Sequence, residues 1–104
     1  MKASDFARKR ALIQRRAGDR AAFLHRAMDH LIREARATVV RDGRRVVGWR
    51  MPDGSVACVK FRYRGLEDAQ AELDRIATYQ ARAYVPVRAY SCVHCGGWHL
   101  TSKG

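Results

Sequence analysis

The sequence predicts an α+β fold, and three observations carry that expectation. Apolar residues recur at spacings of three and four along the first 36 residues, and again from Leu66 to about Arg82. Two alternating runs, Arg45–Met51 and Ser55–Tyr63, each follow an Asp-Gly turn. A Cys-x-x-Cys-Gly-Gly segment, Cys92 to Gly97, lies near the C-terminus. The first pattern is that of helices with one buried stripe, the second that of strands with one buried face. A chain of 104 residues is expected to form one compact domain, made of a basic helical segment (1–37), a meander plus helix (38–83) and a terminal hairpin (84–104).

Ser4 is positioned to cap the first helix, with Asp5 in its first turn. Ile13, Ala17, Ala21, Leu24, Met28, Leu31 and Ala35 form its apolar stripe. The stripe keeps phase across Gly18-Asp19, which favours one continuous helix to about Arg36. At 1.5 Å per residue that helix would be roughly 48 Å long, too long for a compact domain of this size. It must bend near Gly18, project as an arm or pair with a second copy. The heptad spacing from Ala17 to Ala35 admits a homodimer through this helix, although a stripe half made of alanine also suits ordinary core packing.

The turns Arg41-Asp42-Gly43-Arg44 and Pro52-Asp53-Gly54-Ser55 separate the strands of a meander, to which Thr38–Val40 adds a short first strand. Val47, Trp49 and Met51 share one face, as do Ala57, Val59, Phe61 and Tyr63, and these are the expected core faces. The opposite faces carry Val46, Gly48 and Arg50, and Val56, Cys58, Lys60 and Arg62. After Gly65 a second, amphipathic helix runs from Leu66 to about Arg82. Leu66, Ala69, Leu73, Ile76 and Gln80 form its buried stripe, with Glu67, Asp68, Glu72 and Asp74 outside. Tyr84–Ser91 reads as a strand with Pro86 at an edge, and Trp98–Thr101 as a short returning strand.

Between those last strands stands Cys92-Val93-His94-Cys95-Gly96-Gly97-Trp98-His99. Two thiolates two residues apart grip one side of a metal ion, and the glycines permit the tight turn this needs. His99, four residues after Cys95, supplies a third ligand. Zn2+ is the expected ion, in a structural role. A redox role for the Cys pair needs a helix start, which Gly96-Gly97 argues against. Cys58 is the best candidate for the fourth ligand, although it lies on the basic sheet face, and a lone strand cysteine is often a small hydrophobe. His94, His25, His30, a water or a partner group are the alternatives. The chain is thus read as α+β, with an N-terminal long or broken helix, an antiparallel β-meander, a second amphipathic helix and a C-terminal zinc-knuckle hairpin.

The segment Ala89–Thr101 resembles the C-terminal signature of small bacterial and phage proteins of largely unassigned function. Those carry an aromatic-x-Cys-x-x-Cys-Gly-Gly-Trp-His-Leu-Thr ending after an amphipathic helix. The resemblance covers residues 84–101, with the preceding helix loosely, and implies a zinc-ribbon-like hairpin in a bacterial or phage-infected cytoplasm. The segment is also similar to retroviral zinc knuckles in the placing of its glycines. Its Cys-to-His gap is one residue shorter, and the final Cys of those knuckles is missing.

The formal net charge is +11, with seventeen arginines against four lysines. Residues 1–40 contribute +6 and 41–64 contribute +5; residues 65–80 contribute −3 and 81–104 contribute +3. A field of this sign attracts phosphate polyanions. The expected function is a small, basic, zinc-binding module that holds DNA or RNA mainly through phosphate contacts. Arg8, Lys9, Arg15, Arg16 and Arg20 fall near one side of the first helix, and Arg44, Arg50, Lys60 and Arg62 form a second basic surface. Trp98, with His94 and Tyr90, is placed to stack on bases, unless it packs beneath the hairpin.

The alternative is a phage- or bacterial-type adaptor that docks on a host protein through the N-terminal helix, where Phe6, Leu12 and Phe23 lie off the main stripe. No phosphate loop, nucleophile motif or carboxylate pair beside a histidine is visible, so an enzyme is not expected. No stretch approaches the ~20 apolar residues of a membrane span. Three cysteines make a disulfide framework a poor reading, and a cytoplasmic location is expected.

Overall fold

A computed structural model describes residues 1–79 and 85–103. Among these residues are three helices and two small antiparallel sheets, the α+β class that the sequence predicts. The fold divides into two compact units, Met1–Val59 and Lys60–Gly104.

The first unit opens with α1 (Ala3–Ala17) and α2 (Ala21–Ala35). The broken alternative for the N-terminal segment is the one observed; the continuous helix is not. Gly18 adopts φ 55° and ψ −119° and reverses the chain, a conformation glycine enters without steric cost. The two helices then pack on each other, with Lys9 of α1 paired to Glu34 of α2 at 2.8 Å. Ser4 is not the cap. Helix α1 starts at Ala3, and Lys2 takes the extended conformation of an N-cap without a side-chain bond. The Ala3 N–H instead donates to Ser55 Oγ at 3.0 Å, so the helix start is capped from the turn that precedes Val56. At the far end, the Arg20 guanidinium donates to the carbonyls of Arg16 and Ala17, which suits the negative end of a helix. Helix α2 ends on Arg36 in the left-handed region, with the Ala37 N–H bonded back to the Ile32 carbonyl.

Strands β1 (Thr38–Asp42), β2 (Arg45–Arg50) and β3 (Val56–Cys58) form the meander in that order, all antiparallel. A register shift between Val40 and Arg41 interrupts the β1–β2 ladder. Phe6, Leu31, Ala35, Trp49, Met51 and Ala57 make one core cluster, in which the Phe6 and Trp49 rings lie 5.4 Å apart. Phe6 is fully buried, so it belongs to this core and is not an outward contact of the N-terminal helix. Arg10 lies over Trp49 at 4.9 Å and donates to the Val59 carbonyl. Its half-burial pushes the guanidinium below the usual arginine range.

Strand β3 stops at Cys58, not Tyr63, which corrects the expected core face. Ala57 is buried, but Val59 and Phe61 are exposed. Past Val59, whose N–H still bonds to the Val47 carbonyl, the pairing changes, because Tyr63 bridges to Trp98 and not to β2. Val56, expected on the outer face, is buried.

The second unit holds α3 (Leu66–Tyr79), β4 (Arg88–Ser91) and β5 (Trp98–Thr101). Ala69, Leu73 and Ile76 are its buried stripe, and α3 packs on β4 and β5. Leu66, expected in the stripe, is exposed, because it is the first helical residue, ahead of the turn that packs. The expected Gln80 and Arg82 at the helix end, and Tyr84 at the strand start, lie outside the described residues. Strand β5 matches its expected bounds and pairs with β4 from Arg88↔Thr101 to Ser91↔Trp98. Pro86 is buried ahead of β4, and Val87 N–H bonds to the Thr101 carbonyl. No helix among the described residues is long and apolar enough to cross a membrane.

Candidate metal centre

Cys92 follows β4, Cys95 sits in the connecting turn, and His99 is the second residue of β5. The turn is closed by two backbone hydrogen bonds, Cys92 N–H to Gly97 O at 2.8 Å and Gly96 N–H to Cys92 O at 3.1 Å. Gly96 has φ 72°, and Gly97 has no room for a side chain. A Cβ there would stand 2.5 Å from Arg62 Cγ and 2.9 Å from the Tyr63 carbonyl oxygen. The glycines therefore do what their position implied: they fold the turn so that both sulfurs face the same side.

The fourth member is Cys58, the last residue of β3. One ligand atom from each of Cys58, Cys92, Cys95 and His99 lies within 4.8 Å of every other. Zn–S bonds of about 2.3 Å and Zn–N bonds of about 2.0 Å in a tetrahedron give S···S edges of about 3.8 Å and S···N edges of about 3.5 Å. The measured Cys95 Sγ···His99 Nε2 separation is 3.4 Å. Three soft thiols and one imidazole at this spacing are compatible with a metal site. His25 and His30 lie on the outer surface of α2 and do not join the group. Neither does His94, which caps a sulfur through its backbone.

The surroundings orient the sulfurs and the imidazole ring. His94 N–H points to Cys92 Sγ and Gly97 N–H to Cys95 Sγ, both at 3.4 Å. His99 is 2 % exposed. Its Nδ1 lies 2.8 Å from the Phe61 carbonyl. A carbonyl only accepts, so Nδ1 carries the proton and the Nε2 lone pair faces the sulfurs, the arrangement usual for a metal-bound histidine. The Tyr90 ring meets His99 edge-on at 5.8 Å, and Lys60 lies 5.2 Å above Tyr90 while donating to the Leu100 carbonyl at 3.0 Å. The sequence did not disclose the Phe61 carbonyl or the two N–H···S bonds, because backbone groups carry no residue signature.

The basic residues divide into engaged and outward groups. Arg8 pairs with Asp5, Lys9 with Glu34, and Arg50 donates to the Gly54 carbonyl. Arg20 caps α1 and covers the Phe23 ring at 4.6 Å. Arg15, Arg16, Arg44 and Arg62 are exposed and form no ion pair among the described residues. Trp98 is half-buried, and its backbone exchanges two hydrogen bonds with Tyr63. Compared with known proteins, the chain matches no protein-family model, no curated protein and no solved structure.

Proposed function

We propose that this chain is a small zinc-binding module that uses its metal structurally and binds nucleic acid through phosphate contacts. The observation behind the metal reading is the convergence of Cys58, Cys92, Cys95 and His99. Three thiolates and one imidazole select zinc among common divalent ions, and four protein ligands leave no open position for chemistry. That completeness is why the proposed role is structural and the protein non-enzymatic.

The nucleic-acid part is supported by the +11 charge and by exposed arginines that form no ion pair among the described residues. Arg15, Arg16, Arg44 and Arg62 are the proposed phosphate contacts that remain available, whereas Arg20 already serves a helix end. Burial of Phe6 removes one of the apolar contacts on which a helix-docking adaptor would rely.

The test is fluorescence-anisotropy binding of the zinc-loaded protein to duplex DNA, single-stranded DNA and RNA over a salt series. The expected result is affinity that falls steeply with salt, about 0.7–0.9 of a log unit per log unit of salt for each phosphate contact. Absence of binding to all three at about 150 mM salt, near physiological ionic strength, overturns the nucleic-acid reading and redirects the search to protein partners.

A further inference from the structure

The run Lys60-Phe61-Arg62-Tyr63-Arg64 alternates cation and aromatic. In extended chain, alternate side chains share a side, and the Phe61 and Tyr63 rings meet with centroids 4.9 Å apart and planes tilted by 58°. Phe61 is 74 % exposed. Its backbone is anchored on β5 at Phe61 itself and two residues on, at Tyr63. The Phe61 carbonyl accepts the His99 Nδ1–H, and Tyr63 exchanges two backbone hydrogen bonds with Trp98, each 2.9 Å. The ring is thus presented outward on a segment anchored by these hydrogen bonds, braced by its neighbour Tyr63.

Outside α3, the second unit carries cations but no carboxylates. Residues 60–65 and 85–103 include Lys60, Arg62, Arg64, Arg88 and Lys103 but no Asp or Glu. The four acids of the second unit all lie on α3. Lys60 and Arg88 are turned toward Tyr90. Arg62 and Arg64 are exposed, without an ion pair among the described residues.

We infer that Phe61 is a base-stacking residue and that the ligand of this surface is single-stranded nucleic acid, with a base on the Phe61 ring and phosphates on Arg62 and Arg64. The inference rests on the nucleic-acid reading above and deepens it by naming the strand state and the stacking residue. A duplex keeps its base faces inside the stack, so an outward ring adds affinity only where bases are unpaired. Arginines without an ion pair among the described residues complement a polyanion, and the aromatic face is indifferent to base identity, so sequence-tolerant binding is expected. Phe61 takes the role that the sequence alone suggested for Trp98.

The test uses the full zinc-loaded chain and a short labelled oligothymidylate, an oligouridylate and a duplex, titrated at several salt concentrations. Both single strands are expected to bind more tightly than the duplex. Phe61→Ala is expected to weaken single-strand binding by about 5- to 150-fold, the range of one base–aromatic stack, without changing the salt slope. Phe61→Trp is expected to retain the affinity. Phe61→Leu keeps apolar bulk without an aromatic face and is expected to behave like the alanine variant, which separates stacking from folding. Arg64→Gln is expected to reduce the salt slope by about one contact. Equal single-strand affinity in wild type and Phe61→Ala, or preference for the duplex, overturns this inference and leaves the nucleic-acid reading in place. Binding to none of the three overturns both.

Discussion

The Phe61 carbonyl lies 2.8 Å from His99 Nδ1, and that bond determines which nitrogen of His99 faces the cysteine sulfurs. The opposite nitrogen, Nε2, is 3.4 Å from Cys95 Sγ. A ring bonded in this way is held in one tautomer and one orientation before any ion arrives. His99→Ala is expected to remove both the ligand and the carbonyl's partner. Its zinc affinity, measured by competition with a chromophoric chelator, should fall by more than the roughly 10- to 100-fold that loss of an outer partner alone costs. His99→Cys, which restores a soft ligand, should recover much of that loss. Equal affinity in wild type and His99→Ala would exclude His99 from the site.

Chelation is expected to destabilise the hairpin first. Structural zinc sites couple ion binding to folding, with apparent energies of about 10–16 kcal/mol in zinc-finger peptides. Hydrogen exchange after chelation should show lost protection in β4, β5 and the turn between them, while α1 and α2 keep theirs around the Phe6–Trp49 core. Re-addition of zinc should restore protection. Exchange that does not change on chelation would contradict a structural role.

Two phenylalanines separate a core role from a surface one. Phe6 is fully buried and Phe61 is 74 % exposed. Phe6→Ala is expected to cost about 3–5 kcal/mol, and Phe61→Ala no more than about 0.5 kcal/mol, both read from denaturant melts of the zinc-loaded protein. The opposite order would overturn the placement of both residues.

Gly48 packs without a side chain against β3. A Cβ there would stand 2.6 Å from the Ala57 carbonyl oxygen and 3.1 Å from the Cys58 Cα, and both obstacles are backbone. Gly48→Ala is expected to force β2 and β3 apart, at a cost of roughly 1–3 kcal/mol, the usual range for overpacking. Because Cys58 closes β3, zinc affinity should fall with stability in this variant. Wild-type melting and zinc affinity would show that the strands adjust freely.

Asp53 accepts hydrogen bonds from the Ser55 N–H and hydroxyl, and these hold its carboxyl below the usual range. A carboxylate whose folded value is depressed adds stability that is fully present above its unfolded value, near 3.9. That stability is lost as pH falls through the lower folded value. The melting difference between wild type and Asp53→Ala should therefore be constant near neutrality and shrink below about pH 4. A difference that grows on acidification would contradict the sign.

The legible parts of the fold were those with a side-chain periodicity. The 3.6-residue stripe marked Leu31, Ala35, Ala69, Leu73 and Ile76 as buried, and the Asp-Gly turns marked the meander. The continuity of the first helix was misleading, because apolar phase is preserved across Gly18 even though the backbone reverses there. Phe61 misled for a similar reason. Alternation marks which side chains share a face, not whether that face is covered, and the change of partner from β2 to Trp98 leaves no trace in hydropathy. In the candidate site, Cys92, Cys95 and His99 were legible from spacing alone. Cys58 was legible only as the remaining soft ligand, since proximity across the 33 positions between Cys58 and Cys92 is a property of the fold. Arg20 illustrates the limit for charges, because a guanidinium bonded to helix-end carbonyls reads the same in sequence as one facing solvent.

The most direct measurement is the zinc content of the purified, reduced protein and of Cys58→Ser, by elemental analysis against protein concentration. One zinc per wild-type chain, with a clear loss of retained zinc in Cys58→Ser after dialysis against a mild chelator, is the expected result. Wild-type protein that retains no stoichiometric zinc while its three thiols stay reduced would contradict the metal centre, and full retention by Cys58→Ser would remove Cys58 from it.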